Sequence, residues 1–254
     1  MTDSIDTAIE TFAGGWCYTR SFTHPYVATR LTPQVLQLHD GPRSNPNSDV
    51  RRDEFVCFGC SPSEALEAAA SAAIGNFAIC FVLPLGVDDV EVRKEFKSLG
   101  CRLGATEAFM ENDTPEIEPT EPIIPIVRIA DQAHADAIGK AWRRKQILSQ
   151  DIGDENAIHR VYTIHDGEKY IGSCRSIQVV NSSWISSLYV DADYRRKGLG
   201  TALMTRVMSD DRALGITKSV LLASHTGAML YPQIGFHQLG TLYIYNPPRG
   251  MRGT

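Results

Sequence analysis

The sequence predicts an α/β (α+β) protein in two domains, and three observations carry that reading. Short apolar runs alternate with amphipathic helical patterns from Asp53 onward. A tight-turn signal, His165-Asp-Gly-Glu168, joins two strand-like runs into a hairpin. Between the two regions, residues 111–125 hold prolines at 115, 119, 122 and 125 with five carboxylates. That composition stays extended and solvated, so it places a domain boundary there. The expected organisation is an N-terminal α/β domain over 1–113, a linker over 114–125 and a second domain over 126–254.

A chain of 254 residues can bury one large core or two modest ones. Its formal charge of −5 argues against a general nucleic-acid binder, which carries a basic surplus. No apolar run approaches the roughly 18–20 residues of a membrane helix. Met1-Thr2-Asp3-Ser4 shows no cationic region leading into an apolar core, so no secretory signal is read. The six cysteines are scattered, mostly within apolar runs. Cys57-Phe-Gly-Cys60 has metal or redox spacing, but no second pair follows, and Cys57 sits among Phe55, Val56 and Phe58. Structural thiols, no metal and a reducing, cytoplasmic setting are the expectations.

In chain order, residues 16–20 and 35–38 read as strands and residues 40–48 as a loop. After a strand at 55–58, Ser61 caps a helix, with Pro62 in its first position and Glu64 closing a capping box. That Ala-rich helix stops at Gly75, and residues 77–83 form a strand ended by Pro84. A helix from about Asp88 puts Val92, Phe96 and Leu99 on one face, with Gly100 after it, and a strand spans 103–110. Beyond the boundary, a strand at 126–129 precedes a helix carrying Ile138, Ala141, Trp142, Lys145 and Leu148, with Arg143 and Arg144 to its side. The hairpin 157–164 and 169–178 and a strand at 184–190 follow. Next comes a helix with Leu199, Leu203 and Val207 on one stripe, ended by Gly215. A strand at 219–223, a short helix and turn through Tyr231, and a strand at 239–245 close the chain.

The most informative stretch is where the strand bearing Ile185, Leu188, Tyr189 and Val190 passes an acidic turn at Asp191 and Asp193. It then enters a helix through Arg195-Arg196-Lys197-Gly198-Leu199-Gly200. Two glycines without Cβ atoms let a bulky ligand approach the backbone. The first helical turn has N–H groups with no internal partner, and the dipole attracts anions there. Three cations add charge, and arginine grips phosphate through paired N–H bonds. Backbone amides of 197–201 with Arg195, Arg196 and Lys197 make a phosphate cradle, though neither a P-loop nor a full dinucleotide fingerprint.

The order strand, Arg-x-x-Gly-x-Gly, amphipathic helix resembles the coenzyme A pyrophosphate loop of the GNAT superfamily of N-acetyltransferases. Its signature, Gln/Arg-x-x-Gly/Ala-x-Gly/Ala, is met from Arg195 to Gly200. The segment Ala228-Met-Leu-Tyr231-x-x-x-Gly235-Phe236 resembles the family's closing motif. The element order β-α-β-β-β-α-β-α-β matches as well, so the resemblance covers residues 126–245. It implies a mixed, mostly antiparallel sheet flanked by helices, and an acetyl-CoA-dependent enzyme that transfers directly to an amine acceptor. Leu188, Tyr189 and Val190 would pair with the pantetheine arm, and Arg195, Arg196, Lys197, Gly198, Leu199, Gly200 and Thr201 would hold the pyrophosphate. Tyr231 would be the general acid, against a reading as a core tyrosine beside Met229 and Leu230. His225 stands where the family often has an asparagine touching the coenzyme arm; it either keeps that role or acts as base.

The sequence departs from the family at the base. Many members carry a glutamate on the central strand, where this chain reads Ser183-Trp184-Ile185-Ser186-Ser187. A serine-bound water, another group or a partly neutral amine would have to serve; His159 reads as structural. For residues 1–113 two readings stand, an unrelated small α/β domain or a degenerate GNAT-like unit without a cradle. The latter rests on Leu99-Gly100-Cys-Arg-Leu-Gly104, which matches Ile234-Gly235 through Gly240 in outline. Trp16, Tyr18 and Tyr26 either pack that domain's core or wall a cleft. The acceptor stays open between polyamines or aminoglycosides, which an acidic cleft would favour, and a protein amine. The competing classes are a non-catalytic acyl-CoA sensor or scaffold and a thiol-redox protein using Cys57 and Cys60. No nucleic-acid or membrane partner is expected, and the oligomeric state is not legible.

Overall fold

The computed structural model describes residues 2–42, 51–224 and 227–253. In its first part the chain forms α1 (Thr2–Arg20), β1 (Tyr26–Thr32), β2 (Val35–Asp40), β3 (Asp53–Phe58), α2 (Pro62–Ala72), β4 (Phe77–Pro84), α3 (Val90–Ser98) and β5 (Arg102–Asn112). There follow β6 (Ile126–Arg128), α4 (Gln132–Ala141), β7 (His159–Asp166), β8 (Lys169–Val179) and β9 (Ser182–Val190). The chain closes with α5 (Leu199–Ala213), β10 (Lys218–Ala223) and β11 (His237–Asn246). The sheets are mixed and mostly antiparallel with helices against them, as the fold class required.

Two compact units result, one of Met1–Met110, Leu222–Ala228 and Gln238–Thr254, the other of Glu111–Leu221 and Met229–His237. The first orders its strands β1-β2-β3-β4-β11-β5. Its α1 differs from the strand expected at 16–20. Ile5, Ala8, Ile9, Phe12, Ala13 and Cys17 are buried at helical spacing, and this long stripe overrides the local β preference of Trp16 and Tyr18. Trp16 and Arg20 both bond the buried Glu54 carboxylate. Tyr26 is likewise a core group, its hydroxyl donating to Leu38 O and Arg52 O. The Ser61 capping box and Pro62 stand as expected, and Gly100 ends α3 with φ of +77°.

The strand expected to close the second domain lies in the first unit instead. β11 runs antiparallel to β4, with Tyr243 opposite Phe81 and Tyr245 opposite Ile79. Tyr245 stacks on Phe96 of α3 at 3.8 Å, inside a core of Phe55, Phe77 and Phe81. A Cβ at Gly240 would fall 2.3 Å from Leu83 O, so only glycine allows the two backbones to approach this closely. A strand pattern fixes which face is apolar, not which sheet the strand joins.

The second unit orders its strands β10-β9-β8-β7-β6. Only the β9–β10 pair is parallel there. The hairpin turn is Gly167-Glu168, with Asp166 still paired to Lys169; positive φ at Gly167 alone is the II′ pattern. α4 is shorter than its apolar spacing predicts. Arg143 takes φ of +54°, and the bonds Arg144 N to Gly139 O and Arg143 N to Lys140 O form a Schellman ending without glycine. Residues 113–125 contain no helix or strand but are tied down: Arg212 of α5 donates to Thr114 O and Asn112 O, and Thr120 N donates to Thr205 Oγ1.

On one face of this sheet Ile129, Ala135, Ile138, Ile147 and Val161 gather under α4. On the other, α5 lies across β8 and β9, with Met204 Sδ 3.8 Å from Cys174 Sγ. The same helix carries Asp211, fully buried, which meets Arg160 Nη2 at 2.7 Å and accepts from Ser176 Oγ at 2.7 Å. Removing one member of a buried ion pair strands the other charge. Asp211→Ala is therefore expected to lower unfolding free energy by about 3–5 kcal/mol in urea titrations. Asp210→Ala, on the same turn but half-exposed, should cost clearly less.

Candidate active site

β9 is the strand from which the site is built. Its parallel register with β10 is Lys218↔Ser182, Ser219↔Ser183 and Val220↔Trp184, and β9 then continues past this pairing to Val190. On its other side β9 stays paired with β8, through a bulge between Arg175↔Ser186 and Ser173↔Tyr189. Ser187 sits in that bulge with φ of +55°, and Ser173 Oγ donates to Ser187 O at 3.4 Å. Bulges bend a strand and re-aim its side chains, and they recur beside functional sites. The edge of β9 beyond Trp184 thus presents backbone groups that β10 does not take up.

After Val190 the acidic turn is a structural device. Asp191 caps a 3-10 turn at Ala192–Tyr194 by accepting from Asp193 N, and it pairs with Lys169 at 3.0 Å. Tyr194 donates to Asp166 at 2.7 Å, and Arg195 Nε donates back to Val190 O at 2.9 Å. Arg196 (φ +59°) and Gly198 (φ +79°) are both left-handed, which turns the chain sharply into α5. Gly198 is the N-cap of α5 and has no side chain to cap it. The N–H groups of Leu199, Gly200 and Thr201 therefore lack intrahelical and capping acceptors. A Cβ on Gly198 would meet nothing within 4 Å, so the space before the helix is open, whereas Gly200 backs onto Leu230 and Val190.

The predicted cofactor-binding residues assemble around this point. Val190 lies against Gly200; Leu188 is half-buried; Tyr189 is exposed with its ring 6.3 Å from Trp142. Arg195, Arg196 and Lys197 are exposed, with Lys197 Nζ 5.0 Å from the Tyr194 ring centre. Leu199 is buried and anchors the first turn, while Thr201 O accepts from Thr205 Oγ1. The arrangement is an uncapped helix N-terminus with positive dipole, flanked by three cations, at the end of a half-paired strand.

Tyr231 opens a short 3-10 turn and is buried, its ring 5.6 Å from Phe236. Burial, with a smaller push from Cys174, raises its hydroxyl pKa well above the ordinary phenol value. His225 lies outside the described residues. On β9, Ser183 Oγ meets Ser219 Oγ at 3.3 Å, and the buried Ser186 Oγ has no hydrogen-bond partner among the described residues. His159 is fully buried; desolvation first, then Arg175 and Arg160, depress its pKa to about 3, so it stays neutral. Cys57 is buried in β3, and a hydrogen bond with Cys60 raises its own pKa and lowers that of Cys60. Sequence reading missed Arg175, which stands on β8 directly opposite Ser186. The one signal for it was an arginine within the apolar run Ile171-Gly-Ser-Cys-Arg-Ser-Ile177.

Residues 157–238 match the sequence family described as the acetyltransferase (GNAT) domain. Among solved structures, a GCN5-related N-acetyltransferase from Kribbella flavida superposes with a TM-score of 0.63 at 13% identity, covering 96% of each chain. A GCN5-related N-acetyltransferase-like protein from Streptococcus suis gives 0.54 at 14% identity, over 97% of this chain and 99% of its own. A tandem GNAT protein from the clavulanic acid biosynthesis pathway gives 0.51 at 11% identity, covering 84% and 78%. At such identities the structural likeness is one of fold. No protein of curated function matches by sequence. Residues 157–238 thus match the GNAT acetyltransferase domain in sequence, and over the rest of the chain the likeness is one of fold.

Left-handed strain and open space make separable demands at Gly198. Gly198→Ala should fold normally yet lose roughly 1–2 kcal/mol in thermal unfolding, because a Cβ penalises this φ. Gly198→Asn should lose less.

Proposed function

We propose that the protein is an acetyl-CoA-dependent N-acetyltransferase that moves an acetyl group to a primary amine by direct attack. The observation that carries this reading is Gly198: a left-handed cap with open space before an uncapped helix, among three cations. A diphosphate answers that arrangement, its oxygens taking the amides of 197–201 and the side chains of Arg195, Arg196 and Lys197. The unpaired edge of β9 through Leu188, Tyr189 and Val190 is suited to a pantetheine arm, which carries amide groups. An amide there aimed at the thioester oxygen would be worth about 3 kcal/mol as charge develops.

In the reaction the amine nitrogen bonds to the thioester carbon, the C–S bond breaks, and the nitrogen loses a proton while the thiolate gains one. We assign the second proton to Tyr231, which its raised pKa keeps protonated at neutral pH. No carboxylate occupies the 183–187 segment, so the amine's proton passes to a water on Ser183 or Ser186, to His225, or to solvent before binding. His225 otherwise takes the coenzyme-contacting role that the resemblance gives it. The cysteines described are free thiols, which suits a reducing, cytoplasmic setting.

Titration calorimetry should show saturable heat with acetyl-CoA, abolished in Gly198→Glu, whose carboxylate would occupy the cradle. Thiol release from acetyl-CoA should require an amine. Heat without release across amines, aminoglycosides and peptides would leave a coenzyme-binding sensor instead. Tyr231→Phe should lower kcat by about a hundredfold or more with acetyl-CoA binding retained; an unchanged kcat would remove Tyr231 from the mechanism.

A further inference from the structure

The second unit buries two guanidinium groups, and their surroundings differ sharply. Arg160 is fully buried and paired with Asp211, and its guanidinium also donates to Ser176 Oγ and Ala157 O, leaving Nε alone without a partner among the described residues. Arg175 is 9% exposed, yet among the described residues no carboxylate pairs with it and no hydrogen bond leaves its guanidinium. Arginine is rarely buried so deeply unless paired, because desolvating the charge is costly.

Its neighbours deepen the contrast. In the β8–β9 register Arg175 stands directly opposite Ser186, so both side chains project from the same face. The Ser186 hydroxyl is buried and itself without a partner. Desolvation first, and then the charge of Arg144 after α4, bring the pKa of Arg175 down to about 10. His159, on the same face, is neutral. One pair further along, Tyr189 is 42% exposed and meets Trp142, the C-cap of α4, which gives this face an aromatic side. A donor fork, a hydroxyl and a second cation lie on this face, and among the described residues no carboxylate pairs with Arg175.

We propose that Arg175, with the Ser186 hydroxyl beside it and Arg144 nearby, forms a subsite for a carboxylate, so that the acetyl acceptor is an amino acid or another amine bearing an acidic group. The subsite lies on β9, the strand whose free edge was assigned to the thioester, and in naming the acceptor class the inference rests on that assignment. A bidentate carboxylate would supply the missing counter-charge and leave the amine to reach the carbonyl. Polycationic acceptors such as polyamines and aminoglycosides are disfavoured, since two arginines repel them.

The test separates the subsite from the transferase reading. The full chain is titrated calorimetrically with benzoate and with benzamide, which share size and ring but not charge. Benzoate should bind at least about tenfold tighter. Arg175→Gln should erase that preference, and Arg175→Lys should retain part of it. Arg144 is exposed, so Arg144→Ala should fold whatever happens at position 175, and it should weaken benzoate severalfold. In thiol-release assays, L-phenylalaninamide should show a KM at least about tenfold above that of L-phenylalanine. Equal affinities for benzoate and benzamide, or an Arg144→Ala protein with unaltered benzoate affinity, would overturn the proposal. Acetyl-CoA heat without benzoate preference sinks the subsite alone; benzoate preference without acetyl-CoA heat sinks the transferase reading alone.

Discussion

The site depends on a buried charge that takes no part in it. Asp211, near the end of α5, is held between Arg160 on β7 and Ser176 on β8. That clamp fixes the helix's direction across the sheet, and with it where the first turn lies at the far end. A fifteen-residue helix is rigid enough to carry such a constraint along its axis. Leu199 and Met204, buried on the same helix, hold the intermediate turns. The open amides then face the end of β9 because the C-terminal half of α5 leaves them no alternative.

Charge in the second unit is sorted by depth. The cations beside Gly198 are exposed, so water solvates them at little cost while they wait. Arg175 is desolvated before any ligand arrives, so its stabilisation is deferred to binding. Such a group contributes little to folding and much to selectivity, because only a partner of opposite sign relieves it. Two carboxylates around the turn are already committed, Asp166 to Tyr194 and Asp191 to Lys169 and the Asp193 N–H.

What could be read without coordinates was whatever is encoded locally. The Ser61 capping box, the Gly167 turn and the Gly198–Gly200 helix start each have a chemical signature within a few residues, and each stands where it was expected. The errors came from structure without such a signature. α4 ends in a Schellman motif at Arg143, where no glycine announces it. α1 was obscured by β-favouring residues around Trp16, and the partner of β11 is a question of long-range pairing. Arg175 escaped because burial without a counter-ion is a property of three dimensions; in sequence it is one more arginine.

The route of β11 bears on how the protein comes into being. The first unit's sheet, begun at Tyr26, receives an interior strand only when residues 237–246 arrive, some two hundred residues later. Until then β4 has a bare edge of backbone groups lined by Phe77, Ile79 and Phe81, the kind of surface that recruits foreign strands. During synthesis β1 to β4 must wait, incomplete, until residues 237–246 have left the ribosome. Loss of residues 237–246 would thus first damage the sheet that begins at Tyr26.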